Sequence, residues 1–258
     1  MVEADHEINE CCVSVFKKLE EAKIPCVLTH KWEGYPDLKT GMGIEVLVDA
    51  NNYTRSLEIL ENYGLKSPSP EPSSSSILSR FAANPLDNVV SLLRSPKDTM
   101  MRAVQTHREE PTRTRSNNRL VTETILRGDD VSFRVLNHLG YIPLIWEEDK
   151  LRVSPRFEND MLKNRVGVSD SVYIASAPDE LAHLVCEGVF DYGGRFPTFH
   201  KRRCTELWMK VQDDVEEYSR LIDNLSILFY NADSVVLEGL QNQTYDNILP
   251  HLKTHADY

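Results

Sequence analysis

Every run of this chain with strand pattern precedes Asn137, and helical periodicity governs the sequence after Pro178. Cys26–Thr29 is a short apolar run that follows a proline. Gly43–Val48 is apolar apart from one carboxylate, Glu45. Arg119–Leu126 and Val131–Leu136 are β-rich and flank Gly128 and two aspartates, which predicts a hairpin. Helices are predicted over Asp5–Lys23, stopped by Pro25, and over Tyr53–Tyr63, closed by Gly64. Beyond Pro178 the pattern predicts helices at Pro178–Phe190, ended by Gly193 and Gly194, at Pro197–Val211 and at Glu216–Tyr230. Asp233–Leu240 and Tyr245–Leu252 read as short closing helices. Strands gathered early and helices gathered late predict an α+β protein. The division falls near Val168, giving a mixed α/β region over 1–167 and a helical region over 168–258. Ser67–Ser76 is low in complexity and reads as a flexible insertion at 67–76, because such a composition buries no apolar area to offset its ordering entropy.

The 258 residues are 41% hydrophobic and 27% charged, an ordinary globular balance that is ample for a buried core. No apolar run approaches the roughly 18 residues of a membrane span, so no membrane partner is expected. Met1–Glu7 is acidic and lacks an apolar signal core, so the cytoplasm is the expected location. The five cysteines form no C-x-x-C pair and read as reduced thiols. Tyr141, Trp146, Trp208 and Tyr192 read as core or rim aromatics. His183 lies on the apolar stripe of its helix and reads as a packed, hydrogen-bonded imidazole.

The first half resembles the nucleotidyltransferase-like fold: a small mixed sheet with flanking helices. Val27–Pro36 compares with the pattern V-L-R-x-Y-x-x-x-P, and Gly43–Val48 with D-I-D-L-L-V. Asp179–Pro197 looks like the helix-turn-helix that follows such domains. In that fold, carboxylates at i and i+2 of one strand face the same way and hold two Mg²⁺ against a triphosphate. Here Gly43 stands at the first position and only Glu45 remains. The partner strand carries Arg134, a cation that repels Mg²⁺. Two-metal nucleotidyl transfer is therefore not expected, and no metal or cofactor is expected. Glu45 and Arg134 are expected to face each other on adjacent strands and line the substrate pocket.

Asp213, Asp214 and Glu217 fit D-D-x-x-E at the start of a helix. Three readings are open: a helix cap with a capping box, a carboxylate fork for a guanidinium, or a base with an orienting acid. An Mg²⁺ site ranks lower, because no second acidic motif is near. The motif and the size of the chain resemble the fungal arginine-containing cyclodipeptide synthases. That resemblance implies synthesis of cyclo(Arg-Xaa) from arginyl-tRNA and a second aminoacyl-tRNA, with Asp213, Asp214 and Glu217 as its motif residues. Aminoacyl esters are already activated, so positioning supplies much of the rate and neither ATP nor a metal is required.

A tRNA partner needs cations against phosphate. The net charge of −11 excludes a uniformly basic binder, yet the charge is uneven. Arg195, Lys201, Arg202, Arg203 and Lys210 face Glu206 alone in one segment, and Arg113 and Arg115 lie in another rich in arginine. Arg195, Lys201, Arg202, Arg203, Arg113 and Arg115 are the expected tRNA contacts. Phe196, Phe199 and His200 interleave with the first group and are expected to stack on the unpaired acceptor end. The bland reading is a solvated helix face. Two rivals stand beside the synthase: a nucleotidyltransferase with a degenerate metal site built on Glu45, and a non-catalytic binding protein.

Overall fold

The computed structural model describes residues 13–30, 43–66, 123–128, 131–142 and 151–255. The Ser/Pro-rich insertion, Cys11, Cys12, Trp146, Arg113 and Arg115 lie outside the described residues. Within them the chain is α+β. Strands β1 (Cys26–His30), β2 (Gly43–Val48), β3 (Glu123–Arg127) and β4 (Ser132–Leu136) are followed by β5 (Gly140–Tyr141), β6 (Leu151–Arg152), β7 (Val166–Ser169) and β8 (Val172–Ile174). Six of them form one mixed sheet in the order β3-β4-β2-β1-β8-β7, while β5 and β6 pair apart. β2 runs antiparallel to β1 and parallel to β4; β3 and β4 form the expected hairpin; β8 runs parallel to β1.

The helices are α1 (13–21), α2 (Tyr53–Asn62), α3 (Pro155–Lys163), α4 (Ala177–Cys186), α5 (Thr198–Val211), α6 (Val215–Phe229), α7 (Asp233–Gln241) and α8 (Tyr245–His255). Among the described residues no helix is long and apolar enough to cross a membrane.

The two-residue period of the strands sorts the sheet into two faces. Leu28, Ile44, Val46, Val48, Phe133 and Val135 turn to one side and bury Phe16 and Leu19 of α1 and Leu60 of α2. Val27, Leu47 and Leu136 turn to the other side and join the core of α3 to α8. Those three are cross-strand partners, Val27 with Leu47 and Leu47 with Leu136, so they form one apolar row. α4 packs on that side of the sheet, between it and α5 and α6. A helix walled in all round must be apolar all round. Leu181, Ala182, Leu184, Val185 and Cys186 are fully buried, and so, nearly, are Asp179, Glu180 and His183.

Helix α1 ends before Pro25: Lys23 takes a left-handed conformation with φ 57, and Ile24 turns back into the core. The α-helical part of Pro178–Phe190 stops at Cys186 and continues as a single π turn, Glu187–Asp191. The expected division near Val168 runs through β7, and β8 pairs with β1. The sheet thus draws strands from both sides of the boundary, and the helical half shares its core. Strands β7 and β8 escape pattern reading because they are short, and every residue of β7 is exposed. α3 escapes it because Arg156, Glu158, Asp160 and Lys163 leave only Phe157, Met161 and Leu162 as its apolar stripe.

Candidate functional site

Two residues along from the apolar row, the same face of the sheet turns polar. Thr29, Glu45 and Arg134 follow Val27, Leu47 and Leu136 at the strand period. Glu45 and Arg134 are cross-strand partners on the parallel pair β2 and β4. Arg134 Nη1 donates to Glu45 Oε2 at 3.4 Å, and Thr29 Oγ1 donates to Glu45 Oε1 at 2.7 Å.

α4 and its π turn close over this end of the row. His183 Nε2 lies 3.7 Å from Glu45 Oε1 and 3.9 Å from Glu187 Oε1. The other ring nitrogen, Nδ1, shares a hydrogen bond of 2.6 Å with the Tyr141 hydroxyl, which fixes the plane of the imidazole. Nε2 is buried and makes no hydrogen bond among the described residues. Glu187 Oε2 accepts from His200 Nε2 of α5 at 3.0 Å. Tyr192 sets the edge of the cluster, its ring 5.0 Å from that of His200 and nearly perpendicular to it. His183 and Glu187 are one helical turn apart and share a face. Gly188 is what allows the turn: a Cβ there would stand 2.2 Å from Phe196 Cε1.

The charges are strongly tuned. Burial pushes the Glu45 carboxyl up, but His183, Arg134 and Thr29 outweigh it and hold the group well below the usual carboxylate range. Burial alone would lower the His183 imidazole, but Glu187 and Glu45 hold it above its ordinary value. Burial and then Glu187 push the Tyr192 phenol up to about 12. The arrangement therefore places the buried imidazole between two carboxylates, with Glu45, Glu187 and Arg134 partly exposed.

Glu45 and Arg134 thus stand together as the sequence predicts. Asp213, Asp214 and Glu217 stand elsewhere, at the start of α6. Asp214 is the N-cap: its Oδ1 accepts from the backbone N–H groups of Glu216 and Glu217 at 2.9 and 3.0 Å. Glu217 Oε1 accepts from Arg220 Nη1 at 3.2 Å, and Arg220 Nη2 also donates to Asp179 Oδ2 and Ser176 Oγ. Of the motif residues, Glu217 therefore meets a guanidinium that belongs to the chain itself, and Asp214 is used as a cap. Asp179 precedes His183 by one turn of α4, about 6 Å along the axis, so both groups of residues meet the same helix.

The basic segment divides. Arg195 and Arg202 are exposed, with Arg202 over the Phe199 ring and 3.5 Å from Glu206. Lys201 is partly exposed and pairs with Asp246. Arg203 is buried, and its Nε and Nη2 donate to the two oxygens of Glu180 at 2.7 Å each. That places its charge in the core, away from any phosphate. Phe196 is buried against Tyr245 and His200 against Glu187, so neither offers a face for stacking.

Sequence reading missed Glu187 and gave His200 a stacking role, while His183 is packed and hydrogen-bonded, to Tyr141, as expected. The available signal was the spacing Asp179, His183, Glu187: three titratable groups four residues apart in a segment whose other residues, Glu180 apart, are mainly apolar. Comparison with protein-family profiles, curated proteins and solved structures finds no match.

Proposed function

We propose that the chain is a tRNA-dependent cyclodipeptide synthase of the cytoplasm, built on a nucleotidyltransferase-like sheet, that joins arginine from arginyl-tRNA to a second aminoacyl group as cyclo(Arg-Xaa). The observation that carries the reading is the Glu45–Arg134 pair on β2 and β4. On the partner strand, where that fold is expected to carry a third metal-binding carboxylate, stands a guanidinium, and the neutralised pair is unsuited to two Mg²⁺. What remains is a pocket with a fixed proton carrier, His183, which suits aminolysis of an activated ester. The α-amine of one aminoacyl-tRNA attacks the ester carbonyl of the other. A C–N bond forms, the ester C–O bond breaks, the amine loses a proton to the cluster and the leaving ribose oxygen gains one from it. The free amine of the resulting dipeptidyl ester repeats the step on its own carbonyl and closes the ring.

Asp213, Asp214 and Glu217 hold the substrate arginine in this reading. Its support is chemical: Glu217 already accepts a guanidinium, that of Arg220, one turn of α4 from His183. The exposed Arg195 and Arg202 and the partly exposed Lys201 contact tRNA phosphate. Expression in a bacterial host followed by mass spectrometry of the medium tests the function. A new cyclo(Arg-Xaa) mass is expected; soluble protein with no new small molecule overturns the reading.

A further inference from the structure

Glu45, His183 and Glu187 have a geometry that proton transfer alone does not require. One oxygen of each carboxylate and Nε2 of the imidazole all lie within 4.8 Å of one another. Tetrahedral ligands about 2.0–2.1 Å from a zinc ion sit about 3.3 Å apart. The distances of 3.7 and 3.9 Å from Nε2 to the two carboxylates exceed that edge by roughly half an ångström. Nε2 is the atom that singles the cluster out: its side chain is only 3% exposed, it makes no hydrogen bond among the described residues, and it lies near one oxygen of each carboxylate. A buried polar atom without a hydrogen bond is costly unless something fills its place.

The surroundings match what a bound cation needs around its ligands. A metal-bound imidazole is usually held at its second nitrogen by a further polar group, and ligating carboxylates are held in turn. Tyr141 holds Nδ1 of His183, Thr29 and Arg134 hold Glu45, and His200 holds the second oxygen of Glu187. All three ligand side chains sit on rigid elements, β2, α4 and its π turn. We infer that Glu45, His183 and Glu187 bind one divalent first-row transition metal ion, of the zinc class, with its fourth position open to solvent or substrate. One imidazole among the ligands selects such an ion over Mg²⁺, which takes an octahedron of oxygens. The charges agree: two carboxylates and a neutral imidazole balance a dication, and Arg134 covers the outer oxygen of Glu45.

The site goes beyond the synthase reading, which needs no metal: a bound ion takes the Nε2 position that carries the proton in that reading, and the experiment tells the two apart. Untagged, full-length protein is stripped with a chelator, dialysed, and titrated with Zn²⁺ by calorimetry and with Co²⁺ by visible absorption. One equivalent per chain, with the intense bands of a tetrahedral cobalt centre and no displacement by millimolar Mg²⁺, is expected. His183→Ala and Glu187→Gln should each weaken Zn²⁺ binding at least about 10-fold. Glu187 is partly exposed, so its amide variant keeps the fold, and a circular-dichroism melt verifies this for both variants. Failure to bind Zn²⁺, binding that Mg²⁺ displaces, or binding unchanged in a folded Glu187→Gln protein would overturn the inference. Product from a protein that binds no metal refutes the ion alone; stoichiometric binding without product refutes the synthase alone.

Discussion

Single residues decide between a structural and a chemical meaning for the charged motifs. Asp214 caps α6, so Asp214→Ala should cost about 1 kcal/mol in urea unfolding, whereas Asp214→Asn, a good cap, should cost a few tenths. Equal losses in both variants would show that the charge, not the cap, is what the fold uses. Arg203 and Glu180 form a buried two-bond pair, and removing one partner leaves an uncompensated charge. Arg203→Ala should lose roughly 3–5 kcal/mol of stability, while Arg202→Ala should stay within about 0.5 kcal/mol of the wild type. If Arg203→Ala melts normally, the burial assigned to it is wrong. Asp179 supplies a pH signature. Burial pushes its carboxyl up despite Ser176, Asn224 and Arg220, so the folded chain binds that proton more readily than the unfolded one. Its contribution is full below about pH 3.9 and is lost as pH rises through the raised folded value. The stability of wild type relative to Asp179→Asn should therefore fall as pH rises from 4; a difference that grows with pH would contradict this.

At the scale of elements, what was legible is what has a period. Gly43–Val48 is predicted and observed with the same ends, because an apolar run before an Asp-Ala-Asn-Asn turn admits little else. The β3–β4 hairpin and helices α2, α5 and α6 follow their patterns closely. The π turn was not legible. It arises from a tertiary contact, Phe196 packed on Gly188, that leaves no local trace. The candidate centre was half legible for the same reason. Glu45 and Arg134 stand out as charges in apolar strands. His183 and Glu187 look like ordinary helix residues until the sheet is placed beneath them. Gly188→Ala tests this element directly. Its Cβ would meet the Phe196 ring, and overpacking of that kind costs typically 1–3 kcal/mol. A variant with an unchanged melting temperature would mean that the turn is set by something other than that contact.

At the scale of the molecule, the net charge of −11 resolves into a distribution. Of the basic residues counted as a tRNA surface, Arg203 is spent inside on Glu180; elsewhere Arg220 pairs with Asp179 and Glu217, and Arg134 with Glu45. Sequence order separates a sheet half from a helical half, but the fold merges them. α4 fills the face of the sheet, and the polar end of that contact is where Glu45 meets His183 and Glu187. Pairing partners remote in sequence cannot be read from one chain, which is why the boundary near Val168 looked clean. The proposed chemistry takes place at this junction. Its most direct test is the yield of cyclo(Arg-Xaa), by mass spectrometry, from purified wild type and from folded Glu45→Gln protein supplied with arginyl-tRNA and a second aminoacyl-tRNA. Product is expected from the wild type, with a loss of at least about 100-fold in the variant, the usual scale for a displaced acid–base group. Undiminished product from Glu45→Gln, or none from the wild type, would contradict it.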